Sequence, residues 1–309
     1  MNPKGVTRQL LQFPSRFLRA SHQFGRMVRR DVVGMTPEQI RTTLDAVARL
    51  YPGHFNVAFE RVEVAGVPCG HLYPRHAKAK SVRMVLAHGG GFAFGSALTH
   101  RAFASALVHA LQCQVWIPDY RLAPEYPFPT PLEDVMAATA ALATSGDKVW
   151  LMGDSAGGNL ALSTALELNR KSPNAITGIG LFSPWLDLRP QSESNQLAHT
   201  ATSPFERLDM VEYAAHYLHG QSAEHPLADP LSGDLKSLQR VYIEASEAEY
   251  LYPDALRAHR EMTAAGVQTA WRKEKRALHG WQLFPDVLPE ARRSISAFCE
   301  FVESVEATL

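Results

Sequence analysis

Gly153-Asp154-Ser155-Ala156-Gly157 has the form G-x-S-x-G and falls at a change of period in the chain. The apolar stretch 147–153 reads as a short strand, and 156–170 carries apolar residues at helical spacing. A serine on a strand-to-helix junction is pushed out of a tight turn with its hydroxyl exposed, and the flanking glycines remove Cβ atoms that would clash with strand and helix. The following helix N-terminus aims free backbone N–H groups at whatever binds the serine. Nucleophilic attack on an acyl carbon is the chemistry such a residue serves. A serine N-cap on a glycine-rich connection is the bland alternative.

A second pattern argues against the bland one. His88-Gly89-Gly90-Gly91-Phe92 follows the β-branched strand 81–87 and precedes a helical pattern at 99–112. Successive glycines let the backbone approach a ligand and turn its N–H groups toward it. Acyl transfer builds negative charge on the carbonyl oxygen, and each fixed donor there is worth on the order of 3 kcal/mol. Gly90, Gly91 and Ala156 are the candidate donors. His88 is expected to hold the glycine loop in shape.

A serine hydroxyl needs a general base. The chain has 13 histidines, so composition does not choose among them. Position does: His279, in Leu278-His279-Gly280-Trp281, follows the strand 268–273 and precedes the C-terminal helix 286–305, the place of the base in the chain order nucleophile, acid, base. The acid is expected between strand 241–246 and helix 254–265, where Glu247, Glu249 and Asp254 are all available. One of these carboxylates would fix the tautomer of His279 and stabilise its imidazolium. Spacing alone does not select it.

Strands are expected at 57–63, 67–73, 81–87, 114–118, 147–153, 176–182, 240–246 and 268–273. Helices are expected at 99–112, 131–144, 156–170, 254–265 and 286–305. Strand alternating with helix means parallel pairing, except at the first edge, where Ala65-Gly66 makes a hairpin turn. Residues 1–50 and about 187–225 stand outside this alternation and are expected to cap the site, leaving 51–309 as the catalytic domain. The first thirty residues hold Lys4, Arg8, Arg16, Arg19, Arg26, Arg29 and Arg30 with no acidic residue. Such a basic amphipathic segment can lie on anionic lipid or resemble a transit peptide. A cap helix with its apolar face over the acyl pocket is the preferred reading.

Balanced charge, 31 basic against 31 acidic residues, gives no global field for nucleic acid. Three distant cysteines, Cys69, Cys113 and Cys299, argue against a disulfide scaffold and suit a reducing, cytoplasmic compartment. No apolar run reaches the ~18 residues that cross a bilayer. Glu212, His216 and His219 share a helical face but lack further ligands, so a cap helix is expected there rather than a metal site. Tyr120, Arg121, Pro124 and Glu125 are expected to brace the loop near Gly91, and Asp154 to anchor the turn by hydrogen bonds.

Five segments carry a resemblance: HGGGF (88–92), DYRLAPEYPFP (119–129), GDSAGGN (153–159), SPWLDL (183–188) and HGW (279–281). In this order the chain resembles the hormone-sensitive-lipase-like, HGGG-type family of α/β-hydrolase esterases. The resemblance implies an α/β-hydrolase fold with an eight-stranded, mostly parallel sheet flanked by helices, a helical cap, and carboxyl-ester hydrolysis without cofactor or metal. It implies Ser155 as nucleophile, His279 as base, and Gly90, Gly91 and Ala156 as oxyanion donors. Most members carry aspartate in a D-P-L-type sequence where this chain has Glu249-Tyr250-Leu251. Alignment on Leu251 puts Glu249 at the acid's place. Asp254 has a separate explanation in the first turn of a helix opened by Pro253, so Glu249 is the expected acid.

The expected activity is a serine carboxylesterase acting on short- to medium-chain acyl esters through an acyl-enzyme, since the family's caps leave limited depth and Phe13, Phe17 and Phe24 add bulk. A lactonase or amidase would use the same groups. A non-catalytic small-molecule receptor is the rival from another class, and Ser155, His279 and the loop carboxylate argue against it. The partner is a small ester; a homodimer is compatible with the sequence.

Overall fold

The computed structural model describes residues 36–143, 149–197 and 207–308. The basic N-terminal segment with Phe13, Phe17 and Phe24 lies outside the described residues.

A hairpin starts the sheet. Strands Val57–Val64 (β1) and Val67–Pro74 (β2) are joined by Ala65 and Gly66, at φ 52° and 81°. Positive φ at both turn residues twists the hairpin with its strands. The remaining strands are Arg83–Ala87 (β3), Gln114–Pro118 (β4), Val149–Asp154 (β5), Gly178–Phe182 (β6), Arg240–Ser246 (β7) and Gln268–Glu274 (β8). They form one eight-stranded sheet in the order β1-β2-β4-β3-β5-β6-β7-β8, antiparallel at β1–β2 and β2–β4 and parallel elsewhere.

Helices Pro37–Ala48 (α1), Arg101–Leu111 (α2), Thr130–Ala143 (α3), Ala156–Lys171 (α4), Glu193–Leu197 (α5), Arg207–Leu218 (α6), Tyr252–Ala264 (α7) and Pro289–Glu306 (α8) complete the described elements. Helices α2 and α8 bury Phe103, Leu107, Phe298 and Val302 with Trp150 and Met152 on one sheet face. Helices α3, α4 and α7 bury Leu132, Leu160 and Met262 with Val85 and Leu151 on the other. The central strands are apolar on both faces because both are covered.

The chain order makes a crevice. From β3 the chain passes through α2 to β4, then returns through α3 to β5, which pairs with β3 from Arg83↔Val149 to Ala87↔Gly153. The connections after β3 and β5 therefore leave toward opposite faces, and ligands bind where strand order reverses in this way. His88–Phe92 follows β3 and Ser155 follows β5, so both motifs open onto that crevice.

Most expected strands and helices appear within a few residues of their predicted ends. Helix α7 starts two residues earlier than expected, at Tyr252, which puts Pro253 in its first turn rather than at its first position. Helix α1 was not anticipated as an element. Its signature is local: the Thr36 side chain accepts from Gln39 N–H at 3.3 Å, and Gln39 Oε1 accepts from Thr36 N–H at 2.9 Å, with Pro37 at the helix start. Helices α5 and α6 fall within the segment 187–225.

The elbow glycines set a testable constraint. A Cβ on Gly157 would lie 2.1 Å from Ala87 O and 2.6 Å from His88 O, because the first turn of α4 presses on the end of β3. Gly157→Ala is expected to destabilise the protein by about 1–3 kcal/mol through overpacking. The urea midpoint reads this, and an unchanged midpoint would mean that α4 and β3 are less closely packed.

Candidate active site

Ser155 adopts φ 52° and ψ −125°, a conformation costly for a residue with a Cβ. Three backbone bonds hold it there. Ser155 N–H donates to Phe182 O at 3.0 Å, and its carbonyl accepts from Gly158 N–H and Trp185 N–H, both at 2.9 Å. Strands β5 and β6 and helix α4 thus converge on one residue.

The HGGGF loop is fixed from several directions. His88 is buried, donates from Nδ1 to Gly89 O at 3.0 Å and stacks on Tyr120 at 4.1 Å. Burial, reinforced by nearby His100, lowers the His88 pKa to about 3, so its ring is neutral. Tyr120 donates its hydroxyl to His88 O at 2.7 Å, and burial pushes this phenol well above its ordinary pKa. Gly90 and Gly91 have φ 120° and 57°, which only glycine adopts readily. Arg41 of α1 clamps the far side: it donates to Ala93 O at 2.7 Å and Ala123 O at 2.8 Å, and pairs with Glu125 at 2.8 Å. Arg121 pairs with Asp134 at 2.7 Å. Tyr120, Ala123 and Glu125 of the YRLAPE stretch therefore brace the glycine loop, partly through Arg41, which the sequence did not single out, whereas Arg121, expected to join them, is turned to Asp134 of α3.

Asp154 anchors the glycine loop as well as the elbow. Its Oδ1 accepts from Gly89 N–H at 2.9 Å, and His100 Nε2 lies 3.0 Å from the same oxygen. With Nε2 donating to the carboxylate, Gly89 N–H has Asp154 as its acceptor rather than the His100 nitrogen 3.2 Å away. Burial alone would raise the Asp154 pKa, but His100 and the Gly89 N–H more than offset it and hold the carboxyl below its usual range. His100 is a site residue that sequence reasoning missed.

The three candidate acids occupy different places. Glu249 Oε2 lies 3.0 Å from His279 Nδ1, and both side chains are largely buried. Its Oε1 accepts from Ser246 N–H at 2.7 Å and from the Ser183 hydroxyl at 2.5 Å. Ser246 Oγ in turn accepts from Ala277 N–H at 3.0 Å, tying the loop that carries His279. Glu247 pairs with Lys273 at 2.6 Å on the outside. Asp254 is buried in α7 and accepts from Leu186 N–H at 2.7 Å, Asp187 N–H at 2.9 Å and the Ser194 hydroxyl. It latches the 183–188 segment, a larger role than the helix-dipole one expected from sequence.

Ser155, Gly90, Gly91 and His279 line one cavity of about 300 Å³ with α1, α6 and the turn after His279. Ala156 opens α4, where the first backbone N–H groups have no partner within the helix. Glu212 and His216 stand 3.9 Å apart, and among the described residues no group of three metal-ligating side chains gathers. Cys69, Cys113 and Cys299 are buried free thiols whose pKa values burial pushes up to about 12. Among the described residues, no helix is long and apolar enough to cross a membrane.

A family model described as the alpha/beta hydrolase fold matches residues 84–283. An acetyl-hydrolase of Streptomyces hygroscopicus is 32% identical over 265 residues, covering 80% of this chain and 88% of that protein. An esterase of Acinetobacter venetianus is 31% identical over 282 residues, covering 89% and 91%. The crystal structure of an esterase from the bacterial hormone-sensitive lipase family superposes with a TM-score of 0.83 at 30% identity, covering 92% of this chain and 97% of that one. The chain belongs to the α/β-hydrolase family, among its hormone-sensitive-lipase-like esterases. It is a carboxylic ester hydrolase.

The environment of Asp254 generates a pH prediction. Burial, against its three donors, pushes its pKa from 3.8 up to about 6. A raised folded-state pKa favours the protonated carboxyl, so its stabilising effect is full below about pH 4 and is lost as pH rises through 6. Asp254→Asn is neutral at every pH and escapes that loss. The stability of wild type minus that of D254N is expected to fall by on the order of 2 kcal/mol between pH 4 and 7.5. Chemical denaturation at both pH values checks this, and a constant difference would contradict it.

Proposed function

We propose that this esterase is a serine carboxylesterase in which Ser155 is the nucleophile, His279 the general base and Glu249 the acid. The observation that carries the proposal is the 3.0 Å contact between Glu249 Oε2 and His279 Nδ1, beside a cavity shared by His279 and Ser155. With Nδ1–H donating to the carboxylate, Nε2 is the nitrogen left to act as base. Ser155 Oγ attacks the acyl carbon and its proton passes to Nε2. Gly90, Gly91 and Ala156 N–H groups stabilise the oxyanion. The imidazolium then protonates the leaving alcohol. Water attacks the acyl-enzyme and gives a proton to Nε2; the imidazolium returns it to Ser155 Oγ as the Oγ–acyl bond breaks and the carboxylic acid leaves.

Helices α1 and α6 contribute cavity walls and act as parts of a cap over the site. The cavity, about 300 Å³ and lined by Trp185, Met210, Tyr213 and Phe94, favours short- to medium-chain acyl groups. The relatives named acetyl-hydrolase support the short end of that range. Three buried free thiols suit a reducing, cytoplasmic setting.

Ser155→Ala is expected to fold normally and to lower kcat on p-nitrophenyl butyrate by about 10⁴-fold or more, since only oxyanion and binding effects remain. Retention of a tenth of wild-type kcat would exclude Ser155 as nucleophile.

The acid is tested by comparing Glu249→Gln with Asp254→Asn at equal folded fraction. Loss of the carboxylate that orients the base is expected to cost on the order of 10⁴ in kcat, whereas D254N should stay within about tenfold because Asp254 holds backbone rather than His279. The reverse order of losses would move the assignment to Asp254.

A further inference from the structure

Backbone donors are aimed by peptide planes. A peptide unit is planar and trans, so its C=O and N–H point in opposite directions and holding one sets the other. Gly90 N–H shares a plane with Gly89 O, which accepts from His88 Nδ1 at 3.0 Å. Gly91 N–H shares a plane with Gly90 O, which accepts from Ala93 N–H and Phe94 N–H, both at 3.0 Å. Among the described residues, neither Gly90 N–H nor Gly91 N–H has an acceptor of its own. Both candidate oxyanion donors are therefore held from behind through the carbonyl of their own peptide unit.

The two planes are held differently. A buried ring holds the first. The second depends on the turn from Gly91 to Phe94, which Gly91 enters at φ 57°. Arg41 reaches into that turn from α1. Its Nε donates to Ala93 O at 2.7 Å, and its Nη2 donates to Ala123 O at 2.8 Å. Ala123 N–H in turn donates to Phe92 O at 2.9 Å. The guanidinium thus closes a ring of hydrogen bonds through Ala93, Phe92 and Ala123. Glu125 accepts two more bonds from it, at 3.0 and 2.8 Å, and fixes the plane of the fork. Two carbonyls and a carboxylate around one planar, five-donor group make a set that no other side chain satisfies.

Helix α1 has a second polar tie to the same region. Asp45 accepts from the Ser96 hydroxyl at 2.5 Å. That tie lies beyond the turn, whereas Arg41 acts within it. Leu44, Val47 and Ala48 of the same helix line the cavity that holds Ser155.

We infer that Arg41 is a positioning residue for the reaction: through Ala93 O it fixes the turn that aims Gly91 N–H, so a helix that walls the cavity also completes the oxyanion loop. This rests on the reading of Gly90 and Gly91 as oxyanion donors given above.

The test compares p-nitrophenyl acetate with its thionoester, in which C=S replaces C=O. Sulfur is a weak acceptor, so donors placed for an oxyanion stabilise the thionoester's transition state less. Wild type is expected to prefer the oxygen ester by more than hydroxide ion does in solution. Arg41→Ala is expected to lower that preference by about tenfold and kcat on the oxygen ester by a similar factor, with KM within about threefold, because a donor is misaimed rather than removed. Arg41→Gln, which keeps the aliphatic stem but not the fork, should give the same fall and carries the test if R41A does not fold. The oxygen-to-sulfur ratio within one variant does not depend on how much of it is folded. Asp45→Ala loosens α1 without touching the turn and should keep the ratio within about twofold of wild type. An unchanged ratio in the Arg41 variants would overturn the inference and leave the oxyanion reading standing. A fall in D45A as large as in R41A would also overturn it, since anchoring of α1 would then be the cause. A wild type no more selective than hydroxide would remove the oxyanion reading, and the role of Arg41 with it.

Discussion

The site depends on a backbone crowding that side chains cannot share. Ser155 sits at φ 52° and ψ −125°, which costs on the order of 1–3 kcal/mol. That cost is tolerated because α4 is packed against the sheet closely enough to over-determine the turn. A Cβ on Gly153 would meet Gly157 O at 2.1 Å, and one on Gly158 would meet Pro184 Cβ at 2.7 Å. The same closeness brings the HGGGF loop beside the serine, since α4 rests on the last residue of β3. Relaxing the glycines would move the helix N-terminus, the serine and the HGGGF loop together.

The second constraint is how carboxylates are buried around this turn. Asp154 is kept ionised by His100 and a backbone N–H, and it spends that charge on fixing Gly89. Glu249 is buried against His279 with two further donors on its other oxygen. Asp254 has hydrogen-bond donors, but burial outweighs them and its pKa rises to about 6. Glu244, fully buried on β7, pairs with Arg272 and accepts on Oε2 from the Tyr242 and Ser294 hydroxyls. Hydrogen-bonding partners weighed against burial separate Asp154 from Asp254, and of the four carboxylates Glu249 is the one bonded to His279.

The legible part of the molecule was the part with local causes. Elbow and glycine loop were readable because close backbone approach demands glycine at fixed offsets. The sheet was readable because apolar strands alternate with helical spacing. Helix α1 carries an equally local signal in Thr36, Pro37 and Gln39, next to the basic residues 4–30, whose own character points to lipid or cap. Arg41, His100 and Ser183 were not legible. Each acts across 50 or more residues of chain, Arg41 on Ala93, His100 on Asp154 and Ser183 on Glu249; nothing in their neighbours marks Arg41 or His100, and the SPWLDL segment that Ser183 opens does not point to an acid 66 residues away. Asp254 was readable as a first-turn acid, but its grip on Leu186 and Asp187 is tertiary.

The length of Glu249 follows from the same geometry. Its backbone is held in the turn before α7, with Glu249 N–H donating to Ser246 O at 3.1 Å and its carbonyl accepting from Tyr252 N–H at 3.3 Å. From that fixed point one carboxylate oxygen must reach Ser246 N–H and the Ser183 hydroxyl while the other reaches His279. An aspartate on the same backbone is shorter by one carbon–carbon bond, about 1.5 Å, which is the difference between a hydrogen bond and a gap. It would keep either the anchor at Ser246 or the contact with His279. The glutamate where the family resemblance leads one to expect aspartate is therefore matched to this turn, with Ser183 and Ser246 holding one carboxylate oxygen while the other reaches His279.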